Sequence, residues 1–292
     1  MAYITFQPSD HFMTKLWTGT GSENAITGIG YQPDLVWIKQ RNTTRDHNLF
    51  DAPRGATKRV YPDLNNAEET AAQVLKSFDS DGFTLGTDTS ANQSSGTYVS
   101  WNWKGNGAGS ANTNGTINST ATSANTTSGV SIIKYTGDGN SGATIGHGLG
   151  VAPKLVIIKK LNGSDAWFAT GTDLGWNKYI ILSASGAESG SSNSSFTGTA
   201  ATTTVFSVGS DSGVNGNGDT YVAYVFAETK GFSRISKWTG NGNASGPFMY
   251  CGFKPAFVIS KNLNRNENWL IHDNKRSTGN VNATKLHPND DA

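Results

Sequence analysis

One motif occurs three times in this chain, and that repetition constrains its fold more than any other feature. Trp17-Thr18-Gly19, Tyr135-Thr136-Gly137 and Trp238-Thr239-Gly240 each open a copy. Sixteen to eighteen residues after the aromatic comes a proline, then an apolar run, a lysine and an asparagine. These are Pro33, Lys39 and Asn42, then Pro153, Lys159 and Asn162, then Pro255, Lys261 and Asn264. The spacing from proline to lysine to asparagine is the same in all three copies. Such repetition points to a modular, structural protein sooner than to a single-site enzyme.

Each copy starts with an alternating segment rich in β-branched and aromatic residues, such as Val130-Ser131-Ile132-Ile133-Lys134-Tyr135 and Phe232-Ser233-Arg234-Ile235-Ser236-Lys237-Trp238. These read as strands. Thr-Gly-x-Gly follows, with glycines suited to a turn. The proline-led runs, Leu35-Val36-Trp37-Ile38, Leu155-Val156-Ile157-Ile158 and Phe257-Val258-Ile259, are short and apolar throughout. That pattern predicts strands buried on both faces. The back half of the motif recurs in two copies only. Phe83-Thr84-Leu85-Gly86-Thr87-Asp88 matches Phe206-Ser207-Val208-Gly209-Ser210-Asp211, and Thr97-Tyr98-Val99-Ser100-Trp101-Asn102-Trp103 matches Thr220-Tyr221-Val222-Ala223-Tyr224-Val225-Phe226. Alternation turns Val99, Trp101 and Trp103 to one face, which is expected to face a core.

The third copy lacks both back-half phrases, which suggests a chain that continues beyond Ala292. The expected organisation is a first β-sandwich repeat over residues 1–104, and a Gly/Ser/Thr/Asn-rich linker or extended strand over 105–129. A second β-sandwich repeat over 130–231 and a partial third repeat over 232–292 follow. Many short strands with turn signals between them predict an all-β fold of tandem, jelly-roll-like sandwiches with little helix. Residues 65–78 carry helix formers and are expected to give one or two helical turns.

Charged residues make up 15% of the chain and the net charge is +1, so there is no electrostatic case for nucleic acid or an anionic membrane surface as partner. No stretch approaches the roughly 20 apolar residues of a membrane span, and membrane insertion is not expected. The single cysteine, Cys251, excludes intrachain disulfides and reads as a small buried hydrophobe.

The five histidines have no second histidine or cysteine at metal-ligand spacing, and no nucleophile elbow or phosphate loop is present. No catalytic residue is assigned and an enzyme is not expected. Gly146-His147-Gly148-Leu149-Gly150 reads as a turn. The loop Asp211-Ser212-Gly213-Val214-Asn215-Gly216-Asn217-Gly218-Asp219 offers oxygen ligands for calcium at Asp211, Asn215, Asn217 and Asp219, although hairpin turns have the same composition. Asp51-x-x-Arg54 and Asp273-x-x-Arg276 read as local ion pairs closing loops. Most tryptophans have an aromatic counterpart in another copy and read as core. Trp176, in a Gly-rich loop without counterpart, is the best candidate for an exposed contact to a glycan or partner.

Several longer phrases also resemble a known family. Ala2-Tyr3-Ile4-Thr5-Phe6-Gln7-Pro8-Ser9-Asp10-His11-Phe12, Gly30-Tyr31-Gln32-Pro33-Asp34-Leu35-Val36-Trp37-Ile38-Lys39 and Ser77-Phe78-Asp79-Ser80-Asp81-Gly82-Phe83 are similar to phrases in virion structural proteins of tailed bacteriophages, many marine or cyanobacterial. The resemblance covers essentially the whole chain. It implies a tail-fibre-like component with no catalytic residues, assembled in the host cytoplasm and located in the virion, whose relatives continue past the third copy. The expectation that follows is the particle-proximal part of a tail fibre, a homotrimer contacting other tail or capsid proteins and, in adsorption, a host surface glycan. A capsid decoration protein and a carbohydrate-binding module are the alternatives.

Overall fold

The computed structural model describes residues 6–190, 194–279, 282 and 284–291. The fold is nearly all β, built from antiparallel sheets in layers, as the alternation and turn signals predict. Copy one contains β1 (Phe12–Thr18), β2 (Asn24–Ile26), β3 (Leu35–Gln40), β4 (Asn48–Asp51), β5 (Lys58–Arg59), β6 (Glu69–Thr70), β7 (Leu75–Asp79), β8 (Gly82–Leu85), the single helical turn α1 (Thr89–Asn92) and β9 (Thr97–Trp103). Its main sheet has the order β1-β9-β3-β4, and a smaller sheet, β2-β8-β7, covers one face.

Residues 105–129, open to either reading in the sequence, contribute strands. They supply β10 (Ser110–Asn112) and β11 (Ser119–Asn125), the latter pairing with β12 (Val130–Thr136) of copy two. Copy two continues through β13 (Ala143–Gly146), β14 (Leu155–Lys160), β15 (Trp167–Gly171), β16 (Ile180–Ile181), β17 (Val205–Val208), the helical turn α2 (Ser212–Asn215) and β18 (Thr220–Phe226). Its main sheet repeats the order of copy one as β12-β18-β14-β15, widened by β10, β11 and β16 to seven strands, with β13-β17 as its second layer.

The proline-led strands are buried on both faces, as expected. In β3, Val36 and Ile38 point into the core between the two sheets of copy one, while Leu35 and Trp37 point into a second core. That second core is common to all three copies. It joins Trp37, Val99, Trp101 and Trp103 to Ile132, Ile157, Trp167 and Tyr224 and to Trp269 and Ile271. Copies one and two each keep a core between their own sheets, and all three copies rest a face on this shared central cluster.

Two expectations fail. Residues 65–78 are not helical: they contain β6 and β7, with Val74 and Leu75 fully buried. Pairing of β7 with β8 and burial of those side chains override the local helix preference. Residues 232–238, expected as the opening strand of copy three, carry no strand. The reason lies in the strand order. In copies one and two the opening strand pairs with the Thr-Tyr-Val strand, β9 or β18, which in turn pairs with the proline-led strand. Copy three has no strand of that type among the described residues, and its β19 (Phe257–Ser260) pairs with β20 (Leu270–Asp273) alone.

Candidate functional site

The repeated lysine and the residue eight positions after it bind the copies to one another in a closed cycle. Lys159 Nζ of copy two donates to Asn65 O of copy one at 3.2 Å and to its own neighbour Lys160 O at 2.8 Å. Lys261 of copy three donates to Ser185 O of copy two at 3.1 Å and to Asn262 O at 2.7 Å. Lys39 of copy one donates to Asp291 O of copy three at 3.0 Å and to Gln40 O at 3.0 Å. Two reaches back to one, three to two, and one to three.

The second contact follows the same cycle. Trp167 Nε1 donates to Tyr61 O at 2.8 Å and Leu64 O at 3.2 Å, and Trp269 Nε1 donates to Ile181 O at 2.9 Å. His47 holds the equivalent position in copy one, and its Nε2 lies 3.0 Å from His287 O. A carbonyl can only accept, so Nε2 carries the proton, and Nδ1 accepts from Trp37 Nε1 at 2.8 Å. Tyr61, Ile181 and His287 are themselves equivalent, each following the residue (Val60, Ile180 or Leu286) that pairs with the second β-hairpin strand of its copy. The result is an approximate threefold arrangement of contacts within one polypeptide.

Burial sets the electrostatics of these contacts. Loss of water lowers all three lysines from their usual range, Lys159 to about 8. His47 is held neutral, lowered to about 3 by burial and then by the nearby Lys39. Asp63, whose carboxylate accepts from His47 N at 3.1 Å, is pushed up to about 7 by burial.

The Asp-x-x-Arg pairs are local, as read, and they also join copies. Arg54 Nε meets Asp51 at 2.6 Å, with both side chains fully buried, and Arg276 Nε meets Asp273 at 2.5 Å. Each aspartate takes a further donor from the Thr-Tyr-Val strand of another copy. Tyr224 Oη donates to Asp51 at 2.7 Å, and Trp101 Nε1 donates to Asp273 at 3.1 Å. Copy two, with Gly171 and Leu174 at these positions, has neither member of the pair.

The rest of the motif serves the central strand of each sheet. Asn42 Oδ1 accepts from Thr97 N and Asn162 Oδ1 from Thr220 N, both at 3.1 Å, so this asparagine caps the start of β9 and β18. Trp17 stacks on Tyr98 at 5.4 Å and Tyr135 on Tyr221 at 5.1 Å. Gly19 N donates to Gly96 O and Gly137 N to Asp219 O, each at 2.8 Å.

Across residues 7–292 the chain matches the family model described as Domain of unknown function (DUF7483). The chain belongs to that family. No curated protein and no solved structure matches it.

Within this DUF7483 chain, the residues singled out as candidate sites have structural partners. Trp176 is buried, with 8% of its surface exposed, and belongs to the core of copy two with Phe168, Phe196 and Phe206. A Gly-rich loop with no counterpart suggested exposure; the indole is instead packed into that core. Three of the four proposed calcium ligands are engaged by other groups of the protein. Asp211 caps α2 by accepting from Gly213 N, and Asn215 donates to Asn140 O and Gly209 O. Asp219 is paired with Lys160 Nζ at 2.7 Å and accepts from Asn162, so a cation already sits on that carboxylate. Asn217 lies against Gly139 across the turn. Among the described residues no group of three or more His, Cys, Asp or Glu side chains is placed to hold a metal ion. His147 is buried directly after β13, and its Nε2 lies 3.2 Å from Thr202 O. Cys251 is half-buried rather than buried.

One feature escaped the sequence reading. An open cleft of about 270 Å³ is lined by Arg45, Asp46, Arg59, Tyr61, Asp88, Thr89 and Ser90. Arg59 stacks over Tyr61 at 4.6 Å and donates to Asn48 Oδ1 at 2.9 Å and Ser90 Oγ at 3.2 Å. These residues are scattered through copy one, and no spacing in the chain connects them.

Proposed function

We propose that this chain is a structural protein of a tailed-bacteriophage particle, in the role of the particle-proximal part of a tail fibre that takes part in tail attachment and host adsorption. The single observation that carries the reading is the closed cycle of Lys39, Lys159 and Lys261. The lysine repeated in all three copies joins each copy to another. A virion component has to hold its shape outside the cell, and mutual locking of copies around one core suits that demand. The similarity of its phrases to tailed-phage virion proteins supplies the biological setting. The same reading has the chain form a homotrimer, contact other tail or capsid proteins, and reside in the virion after assembly in the host cytoplasm.

Capsid decoration is the second reading, favoured by the approximate threefold arrangement within one chain, which suits a threefold position on a shell. Labelling the protein in purified particles and counting copies separates the two. Gold label at the tail with a few dozen copies or fewer supports the fibre; hundreds of copies spread over the capsid overturn it.

A further inference from the structure

The open cleft of copy one lies where copy two packs aromatic rings. The repeat equates Asn48 with Phe168, since each pairs with the corresponding residue of its proline-led strand, Ile38 or Ile158. It equates Arg59 with Tyr179, one residue before Val60 and Ile180, and Ser90 with Gly213, two residues after the capping aspartates Asp88 and Asp211. In copy two these three positions close on one another as an apolar plug. The rings of Phe168 and Tyr179 lie 5.0 Å apart, and a Cβ on Gly213 would come within 2.3 Å of the Phe168 ring.

In copy one all three positions are polar together. Arg59 Nη1 donates to Asn48 Oδ1 at 2.9 Å and to Ser90 Oγ at 3.2 Å, and Ser90 Oγ donates to Asn48 Oδ1 at 3.3 Å. Asn48 is completely buried. Copy three, with Leu270 in place of Asn48, does not have the set either. Packing does not call for it: copy two fills the place with rings, and buried polar groups seldom stabilise more than well-packed apolar ones.

Around this floor stand groups with hydrogen-bonding capacity to spare. Asp88 commits Oδ1 to Ser90 N at 2.8 Å in capping α1. Its second oxygen, the Asp46 carboxylate, the Arg45 guanidinium and the Thr89 hydroxyl make no hydrogen bond to other described residues. Arg59 is already neutralised by Glu69, to which Nε donates at 2.6 Å and Nη2 donates as well. An anion in the cleft would therefore meet two carboxylates, and a cation would meet two guanidinium groups. Carboxylates only accept and guanidinium groups only donate, whereas an alcohol hydroxyl does both. A neutral molecule dense in hydroxyl groups satisfies both kinds of partner at once. The volume of about 270 Å³ is just below the ~300–1,000 Å³ of drug-sized sites, which suits one ring and not an oligomer.

We propose that this cleft binds a single neutral sugar unit, held through its hydroxyl groups by Arg45, Asp46 and Asp88 above the floor of Asn48, Arg59 and Ser90. The floor is fixed by its own hydrogen bonds, so little ordering is needed when the sugar enters. The site stands on its geometry and does not depend on where the protein sits in a particle, which labelling and copy counting test separately.

The test titrates the full chain, labelled with nitrogen-15, with the methyl glycosides of glucose, galactose, mannose, rhamnose and N-acetylglucosamine. Each is taken to about 100 mM, because so small a ligand binds in the millimolar range. Inorganic phosphate and N-acetylneuraminic acid are the anionic controls. At least one glycoside is expected to give saturable amide shifts at residues 45–48 and 88–90 while residues 211–213 of copy two stay unmoved. Arg45→Ala and Asp46→Ala, which each remove one charged partner of the sugar, are expected to weaken binding about tenfold and to leave the unfolding midpoint unchanged. The triple variant Asn48→Phe, Arg59→Tyr, Ser90→Gly installs the plug of copy two and is expected to abolish the shifts; if it does not fold, the two single variants decide. No saturable shift with any of these glycosides overturns the proposal. So does binding of phosphate or N-acetylneuraminic acid alone, and so does glycoside binding that Arg45→Ala and Asp46→Ala leave unchanged.

Discussion

Substituting one glycine at the same motif position in three copies gives a direct measure of what the Trp-Thr-Gly turn does. Gly19, Gly137 and Gly240 all lack a left-handed φ, so alanine is acceptable to the backbone in each and only the surroundings differ. At Gly137 the new methyl would lie 2.4 Å from Gly216 O and 2.9 Å from Asn215 C; at Gly19 it would lie 2.2 Å from Gln93 O and 2.9 Å from Asn92 C. Ordinary carbon-to-oxygen contacts start near ~3.3 Å, so the obstructing loop must retreat by about 1 Å. That loop is main chain, held by Gly21 N to Asn92 O at 2.8 Å and by Gly139 N to Asn215 O at 2.9 Å. Overpacking of this kind costs about 1–3 kcal/mol, and a weakened main-chain hydrogen bond about 1 kcal/mol more. Gly19→Ala and Gly137→Ala are thus expected to lose about 2–4 kcal/mol, a large share of the ~5–15 kcal/mol typical of a folded protein. Gly240→Ala is expected to change stability by no more than about 0.5 kcal/mol. Urea unfolding followed by tryptophan fluorescence and circular dichroism reads all three. A loss for Gly240→Ala equal to that of Gly137→Ala, or a neutral Gly137→Ala, would refute the reasoning.

Trp167→Phe removes the donor that serves Tyr61 O and Leu64 O, and a loss of about 2–3 kcal/mol is expected in urea unfolding; Trp269→Phe, with one such bond, should lose less. Arg54→Met leaves Asp51 buried without its cation and is expected to cost about 3–5 kcal/mol, whereas Tyr224→Phe, which removes one donor to the same carboxylate, should cost about 1–3 kcal/mol; both are read by the same unfolding experiment. The His47–Asp63 neighbours set opposing pH effects. His47 is lowered to about 3 in the fold, so its contribution to stability is lost as pH falls from about 6.5 toward 3; Asp63 is raised to about 7, so its contribution is lost as pH rises from about 4 through 7. Unfolding free energies of His47→Gln, measured against the parent from pH 4 to 7, should fall relatively toward neutral pH, and those of Asp63→Asn relatively toward acid. Lys159, lowered to about 8, should make the protein gain stability as pH rises from about 8 to 10.5, and Lys159→Met should lack that gain.

The strands of the main sheets were legible because their apolar pattern is set by two different cores. Leu35-Val36-Trp37-Ile38 has no polar position to give up, and the fold buries each of these residues. The segment over residues 65–78 was illegible for the opposite reason. Its alanines and glutamates favour helix locally, but Leu75 is needed by β8 and Glu68 N donates to Leu161 O of copy two. Both demands are nonlocal. Trp176 misled because glycine-rich surroundings speak to backbone freedom and say nothing about which side chains lie above the loop. The cyclic contacts were hidden for a different reason: a repeated lysine reads the same whether its ammonium meets water or the carbonyls of another copy.

Copy three separates the two roles that the motif combines elsewhere. It retains the proline-led strand and β20 without the Thr-Tyr-Val strand, and Lys261 still donates to Ser185 O and Trp269 to Ile181 O. Joining one copy to another therefore does not need the central strand. Among the described residues Trp238 has no stacked ring and is half exposed, a Cβ on Gly240 would meet nothing within 4 Å, and the residues around them form no strand. Order in the opening segment therefore does need it. The motif is two devices that share one stretch of chain: lysine and the residue eight positions on lock neighbouring copies, while the aromatic, the glycines and the asparagine grip a strand. A copy lacking that strand keeps the first device working and leaves the second open.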